Sequence, residues 1–200
     1  MYSIRNIKGL TITELMIVLA IVMITAGISI PMYISDIPRQ RVKAAAQQMM
    51  TDLRLARARA VANNQAYLVC FGSDTTYKMA PEINDDATDC DTAETIAIWK
   101  VQVKAVDYVK THSGVQFGIG NSGSNPCMGQ TTSPSSAVEF SSKIARFDKR
   151  GSSVDGSGAL YSGAVYLTNP RDSKNRTYCV QVEASTGRAK LYKWDQGAWQ

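Results

Sequence analysis

The pattern of apolar and polar positions divides the chain into three stretches. Leu10 to Ile30 is an apolar run of 21 positions, interrupted by few polar residues. As a helix rising about 1.5 Å per residue it would measure about 30 Å, one hydrocarbon thickness. Residues 38–63 switch to steps of three and four, with apolar side chains at Val42, Ala46, Met49, Leu53, Ala56 and Ala60. That is one face of an amphipathic helix. The other side carries Arg39, Arg41, Lys43, Arg54, Arg57 and Arg59, read as a solvated face or as charges at an interface between chains. Asn63-Asn64 marks its end. The spacing predicts one long helix over 10–63, with Gly27, Pro31 and Pro38 as points of irregularity.

Beyond Asn64 the period shortens. Strands are predicted at 65–72, 76–80, 95–103, 115–119, 137–140, 144–148, 164–168, 177–184 and 188–194, separated by Gly, Asn and Ser. FDKRGSSVDGSG and STGR have turn composition. Residues 118–136 form a long small-residue loop that Cys127 would tie down. The pattern contains no internal repeat. A long helix followed by antiparallel strands predicts an α+β protein: an apolar anchor at 10–31, an amphipathic continuation at 32–64 and one β-rich head at 65–200.

With 200 residues and ordinary apolar content, the chain supports a single globular core. Its formal charge is +5, and loss of residues 1–9 with Arg5 and Lys8 would lower it by two, to +3. That balance permits anionic partners without demanding them. The four cysteines, Cys70, Cys90, Cys127 and Cys179, form no C-x-x-C pair, and His112 is the only histidine. A zinc site is therefore disfavoured. In an extracytoplasmic domain, four cysteines suit two disulfides in any of three connectivities, with buried free thiols as the alternative.

The N-terminus decides the class. Basic residues flank only the leading side of the apolar run, which puts that end in the cytoplasm and the head outside. A secretory signal predicts a shorter apolar core and a small-residue cleavage site, for which Ala26-Gly27-Ile28 is a poor match. A plain anchor leaves Glu14 unexplained, because a carboxylate within an apolar helix costs about 2.5–3.5 kcal/mol on insertion scales. The stretch Lys8-Gly9-Leu10-Thr11-Ile12-Thr13-Glu14-Leu15-Met16 resembles the signal of type IV prepilins. The resemblance implies the pilin fold and cleavage between Gly9 and Leu10 by a membrane-embedded prepilin peptidase. It also implies methylation of the new amino terminus at Leu10. Glu14 then becomes the fifth mature residue, and Pro31 takes the place of the proline common in these anchor helices. Leu10 departs from the commoner Phe at the first mature position. In the family, the glutamate pairs with the amino terminus of a neighbouring subunit inside the filament. The expected partners are thus other pilins or pseudopilins, the peptidase and the inner membrane.

A second resemblance is to the GspH/FimT group of minor pilins and type II secretion pseudopilins. It rests on RVKAAAQQMMTDLRLARARAVANNQAYLVCF, the FDKRG turn and the TGRAK hairpin. It implies a structural subunit that starts or caps a filament, a pilus or secretion pseudopilus, with the tip as one location. Some FimT-type members take part in DNA uptake through a basic Gly-Arg-x-Arg tail, which gives an alternative. The matching run is Gly187-Arg188-Ala189-Lys190, with Lys in place of the last Arg. Lys keeps the charge and loses the planar fork. Lys174, Arg176 and Lys193 would add phosphate contacts, while Tyr192, Trp194 and Trp199 would stack on bases. The other reading of this hairpin is aromatics packed on the head or on a neighbour.

Catalysis finds little support, since one histidine offers no local Ser/His or Cys/His pair. Asp85, Asp86, Asp89 and Asp91 around Cys90 could bind calcium through oxygen, but their spacing matches no EF-hand loop and favours a solvated acidic loop. No metal or other cofactor is indicated.

Overall fold

The structure is a computed structural model. It describes residues 10–82, 104–123, 125–127, 130, 133–172, 176–195 and 197–200, with only the backbone described at 28–35, 104–105 and 109. The chain divides into two compact units, residues 1–37 and residues 38–200.

Helix α1 (Ile12–Ala62) includes Gly27, Pro31 and Pro38. In the first unit its side chains are open to solvent: Leu10, Ile12, Met16, Ile17, Met23 and Ile24 are all more than half exposed. In the second unit the periodic face is buried. Val42, Ala45, Ala46, Met49, Leu53, Ala56 and Ala60 have no exposed surface. Alanine at four of these seven places lets the helix lie close to the strands, while Met49 and Leu53 supply most of the buried volume.

The strands among the described residues are β1 (Tyr67–Ser73), β2 (Thr76–Pro81), β3 (Lys104–Asp107), β4 (Gln116–Phe117), β5 (Ile144–Phe147), β6 (Ser153–Val154), β7 (Gly163–Thr168), β8 (Tyr178–Val182), β9 (Ala189–Asp195) and β10 (Ala198–Trp199). A single-turn helix, α2 (Tyr108–Thr111), follows β3. The strands form two five-stranded sheets, ordered β3-β2-β1-β5-β6 and β10-β9-β8-β7-β4. Every pairing is antiparallel, as in Val69 opposite Met79 and Val180 opposite Leu191. The helix's buried face and the inner faces of both sheets make one cluster. Phe71 of β1 joins the two sheets by packing edge-on against Phe117 of β4, with ring centroids 5.4 Å apart. This is the α+β arrangement expected from the change of period, and it agrees with the pilin fold that the resemblance implies.

Strands β7 and β8 are buried at every position, so their sequences lack alternation. Their outer face is covered by Cys127, which bonds to Cys179 of β8. Cys127 packs there with Ala164, Tyr166 and Cys179, and its N–H donates to the Tyr166 hydroxyl at 2.9 Å.

The strand expected at 137–140 is instead an irregular segment with a single bridge, Val138 to Val165. Its backbone nevertheless extends the second sheet: Glu139 N–H donates to Ala164 O and Tyr166 N–H donates to Ala137 O. The strand expected at 95–103 lies outside the described residues.

Candidate functional site

At the start of α1, Thr11 precedes the first helical residue. Its carbonyl accepts from Leu15 N–H at 3.2 Å and its hydroxyl from Glu14 N–H at 3.2 Å. Thr11 is therefore the N-cap and Glu14 occupies N3, the spacing of a capping box. Among the described residues the Glu14 carboxylate has no partner, and the side chain is exposed. Leu10, 71 % exposed, lies before the helix. Gly9 lies outside the described residues, and Pro31 is described only as backbone within α1.

Arg39, Arg41, Lys43 and Arg54 are exposed, as the periodicity suggests, while Arg57 and Arg59 are half-buried, and four of these arginines also bond to the head. Arg54 donates to Ala189 O at 3.0 Å, Arg57 to Gly151 O at 3.0 Å and Arg41 to Ser113 O at 3.2 Å. Arg59 donates to the Tyr67 hydroxyl at 3.0 Å, its guanidinium 5.8 Å from the ring centre. A guanidinium bonded to a carbonyl orders a turn that would otherwise leave that oxygen to water. These residues fasten the head's turns to the helix.

The two turns singled out in the sequence meet at this place. In FDKRG, Asp148 accepts from the N–H groups of Arg150 and Ser152. In STGRAK, Thr186 donates to the Glu183 carboxylate and accepts from Arg188 N–H. Ser152 then donates to Ser185 O, and Ser153 N–H to Ala184 O.

The basic residues of the C-terminal strands separate into two kinds. Arg188 and Lys190 are exposed. Arg176 is held by buried Asp172 through two bonds, 2.9 Å from Nε to Oδ2 and 3.2 Å to Oδ1. Lys193 pairs with Asp195. Trp194 packs edge-on against Trp199 at 5.2 Å. Lys174 lies outside the described residues, as do Cys90 and the aspartates at 85, 86, 89 and 91. Cys70 is disulfide-bonded.

A buried polar group went unnoticed in the sequence. Asp52, 2 % exposed, accepts from the Tyr77 hydroxyl at 2.6 Å, and the Tyr108 hydroxyl donates to Ala45 O at 3.2 Å. Burial first, then the neighbouring Tyr108 and Asp52, push the Tyr77 phenol far above its ordinary range. Burial does the same to Tyr108. The available signal was spacing: Asp52 stands three residues after Met49 and beside Leu53, on the apolar face.

An apolar helical segment carrying one carboxylate that is unpartnered among the described residues, and a helix packed on antiparallel sheets, fit a pilin-like structural subunit. The chain matches the family Type II transport protein GspH over residues 45–186, which is most of its length, and it belongs to that family. It is a pseudopilin of the GspH kind, in a family of structural subunits and not of enzymes. Family membership implies assembly with other pseudopilins into a membrane-anchored filament. A solved structure, the minor pseudopilin EpsH from the Type 2 Secretion System of Vibrio cholerae, is 10 % identical and aligns over 79 % of this chain and 99 % of its own, with a TM-score of 0.43. At that score the likeness adds no weight to the assignment. No curated protein sequence matches the chain. Among the described residues, no helix is long and apolar enough to cross a membrane. The side chains at 28–30, which complete the expected span, lie outside that set.

Proposed function

We propose that this chain is a minor pseudopilin that helps start or cap a type II secretion filament after its leader is removed. The prepilin peptidase cuts between Gly9 and Leu10 and methylates the new terminus at Leu10. The segment 10–31 holds the precursor in the inner membrane, with its N-terminus cytoplasmic and its head periplasmic. It then passes into the filament beside the same segments of other pseudopilins.

The observation that carries this reading is Glu14: an exposed carboxylate without a partner among the described residues, on a helix whose surrounding side chains are apolar and exposed. Burying such a surface is favourable, but burying an uncompensated carboxylate is costly. Both demands are met if the amino group of Leu10 on a neighbouring subunit takes the countercharge. Thr11 supports the arrangement, because an N-cap at that position keeps Leu10 and its amine outside the helix.

Intact mass of the protein recovered from cells tests the reading. A mature chain beginning at Leu10 with one added methyl group is expected. A wild-type protein that retains Met1 would overturn it.

A further inference from the structure

We propose that an open cleft on the head, lined by Arg39, Asn121, Arg176, Lys193, Trp194 and Asp195, receives a carboxylate from an acidic polypeptide segment of an adjoining filament subunit. The cleft has a volume of about 570 Å³ and predominantly polar walls.

Its cations come from separate elements. Arg39 stands on α1, Arg176 precedes β8 and Lys193 is on β9. Arg176 is fixed by the two bonds it donates to buried Asp172, so it is a preorganised cation. Arg39 is exposed, and among the described residues it has no hydrogen bond or ion pair. The Trp194 indole, steadied by Trp199, supplies an apolar wall.

Asp195 shows what chemistry the cleft accepts. Its carboxylate belongs to this chain and is 37 % exposed. It is held below its ordinary range first by the hydrogen bond from Lys193, with further help from the charges of Arg39 and Arg176. The chain's own side chain thus occupies the cationic field as a resident anion, and a visiting carboxylate would compete with it.

Charge selects the partner. Three cations face two carboxylates, Asp172 and Asp195, and one positive charge is left over. That suits one or two acidic side chains. Duplex DNA lays down one charge per roughly 1.7 Å and is held by many neutralised phosphates, a demand this small surplus does not meet. The setting rests on the filament-subunit reading, in which the heads of adjoining subunits stand side by side. An acidic segment of this kind is present in the sequence, with four aspartates within residues 85–91.

The test uses the full chain purified in detergent and a labelled peptide of residues 83–91 with Cys90→Ser, followed by anisotropy and by Trp194 emission. A peptide with all four aspartates changed to asparagine is the control. At low salt the acidic peptide is expected to bind and the control to fail. Arg39→Ala should weaken binding about two- to fivefold, the worth of one exposed ion pair. Asp195→Asn should strengthen it by a similar factor, because the resident competitor is gone. Both changes are at the surface, and unaltered urea midpoints would certify the fold.

Absence of binding overturns the proposal, as does binding indifferent to both substitutions. A DNA duplex that displaces the peptide with the same dependence on Arg39 overturns it too, and assigns the cleft to nucleic acid. No filament is present in this assay, so its outcome is independent of the assembly reading, which stands or falls on the mass of the cellular protein.

Discussion

Gly187 lies so close to Gly151 that a Cβ on Gly187 would overlap the Gly151 carbonyl oxygen and sit 3.2 Å from Arg57 Cδ. Gly187 also has φ of 59°, a conformation that L side chains rarely adopt. Two turns more than thirty residues apart in sequence are thus packed backbone to backbone beneath one arginine. Gly187→Ala is expected to cost about 2–4 kcal/mol, from left-handed strain together with overlap against rigid backbone. Gly151→Ala should cost less, about 1–2 kcal/mol. Its φ of 84° is strained, but the atoms facing its Cβ belong to the side chains of Val61 and Arg57 and not to backbone. Urea midpoints of the two variants check the order.

Arg57→Ala should lower stability by about 1 kcal/mol, the net worth of the bond to Gly151 O. Arg57→Lys should recover only part of it, because an ammonium on a flexible stem lacks the guanidinium's fixed geometry. Equal stability of the wild type and both variants would mean that the carbonyl bond is matched by water. The same urea series reads the difference.

The helix was legible in the sequence because its burial is periodic, and most strands because they are β-branched and aromatic runs bounded by Gly, Asn and Ser. Every residue predicted for the inner face of 38–63 is fully buried, from Val42 to Ala60. The expected strands at 144–148 and 188–194 appear as Ile144–Phe147 and Ala189–Asp195. What escaped lacks period or is too short to carry one. Strands β6 and β10 have two residues each and exist only because a longer partner templates them. Strand β3 begins at Lys104, where the described residues resume, directly after the strand expected at 95–103. The long-range bonds of Arg54 and Arg57 to carbonyls are invisible to a helical wheel, which records a side and no partner. Asp52 escaped because a lone acid on an apolar face looks like a break in the pattern until Tyr77 is placed against it. At the N-terminus the reverse held. The residues around Gly9 and Glu14 were read by their resemblance to a known signal, and the fold alone would not have disclosed them.

Stability should fall at alkaline pH. Tyr166 is raised from 10.0 to about 12, chiefly by burial, and Tyr77 and Tyr108 are shifted upward in the same sense. A phenol raised in the folded state stays protonated after the unfolded chain has begun to ionise. The unfolded state then binds fewer protons, so unfolding becomes easier as pH rises. The contribution is complete below the ordinary phenol range near pH 10 and is lost above it, for Tyr166 between about 10 and 12. Melting temperature measured in steps above pH 9 should decline, with the phenolate absorbance of these rings appearing together with unfolding. Ionisation of every tyrosine in a protein that is still folded would contradict the burial of these three rings.

The disulfide between Cys127 and Cys179 closes a loop of 52 residues. On the chain-entropy account such a closure contributes about 4 kcal/mol, mainly by restricting the unfolded chain. Cys127→Ser paired with Cys179→Ser should therefore lower the urea midpoint substantially, by up to about this amount. Loss of order should concentrate where Cys127 covers Tyr166 and Ala164, and hydrogen exchange at β7 and β8 would report it.

The separation of processing from assembly gives the sharpest test of the N-terminus. Substitution of Gly9 removes the residue before the cut, so the precursor should accumulate uncleaved and stay out of filaments. Glu14→Ala leaves the cut site intact and should yield mature protein of the expected mass. On the proposed pairing, however, that variant would leave the neighbouring amine buried without its carboxylate, a loss of about 3–5 kcal/mol for a buried pair. Incorporation should drop by at least about tenfold, since 1.4 kcal/mol already corresponds to that factor. Glu14→Gln keeps size and hydrogen bonding but loses charge, so it should behave like alanine if countercharge governs register and like wild type if shape does. Recovery of each variant in crosslinked filament complexes, set against its mature mass, reads both steps. Normal incorporation of Glu14→Ala would remove the electrostatic basis of the assembly proposal.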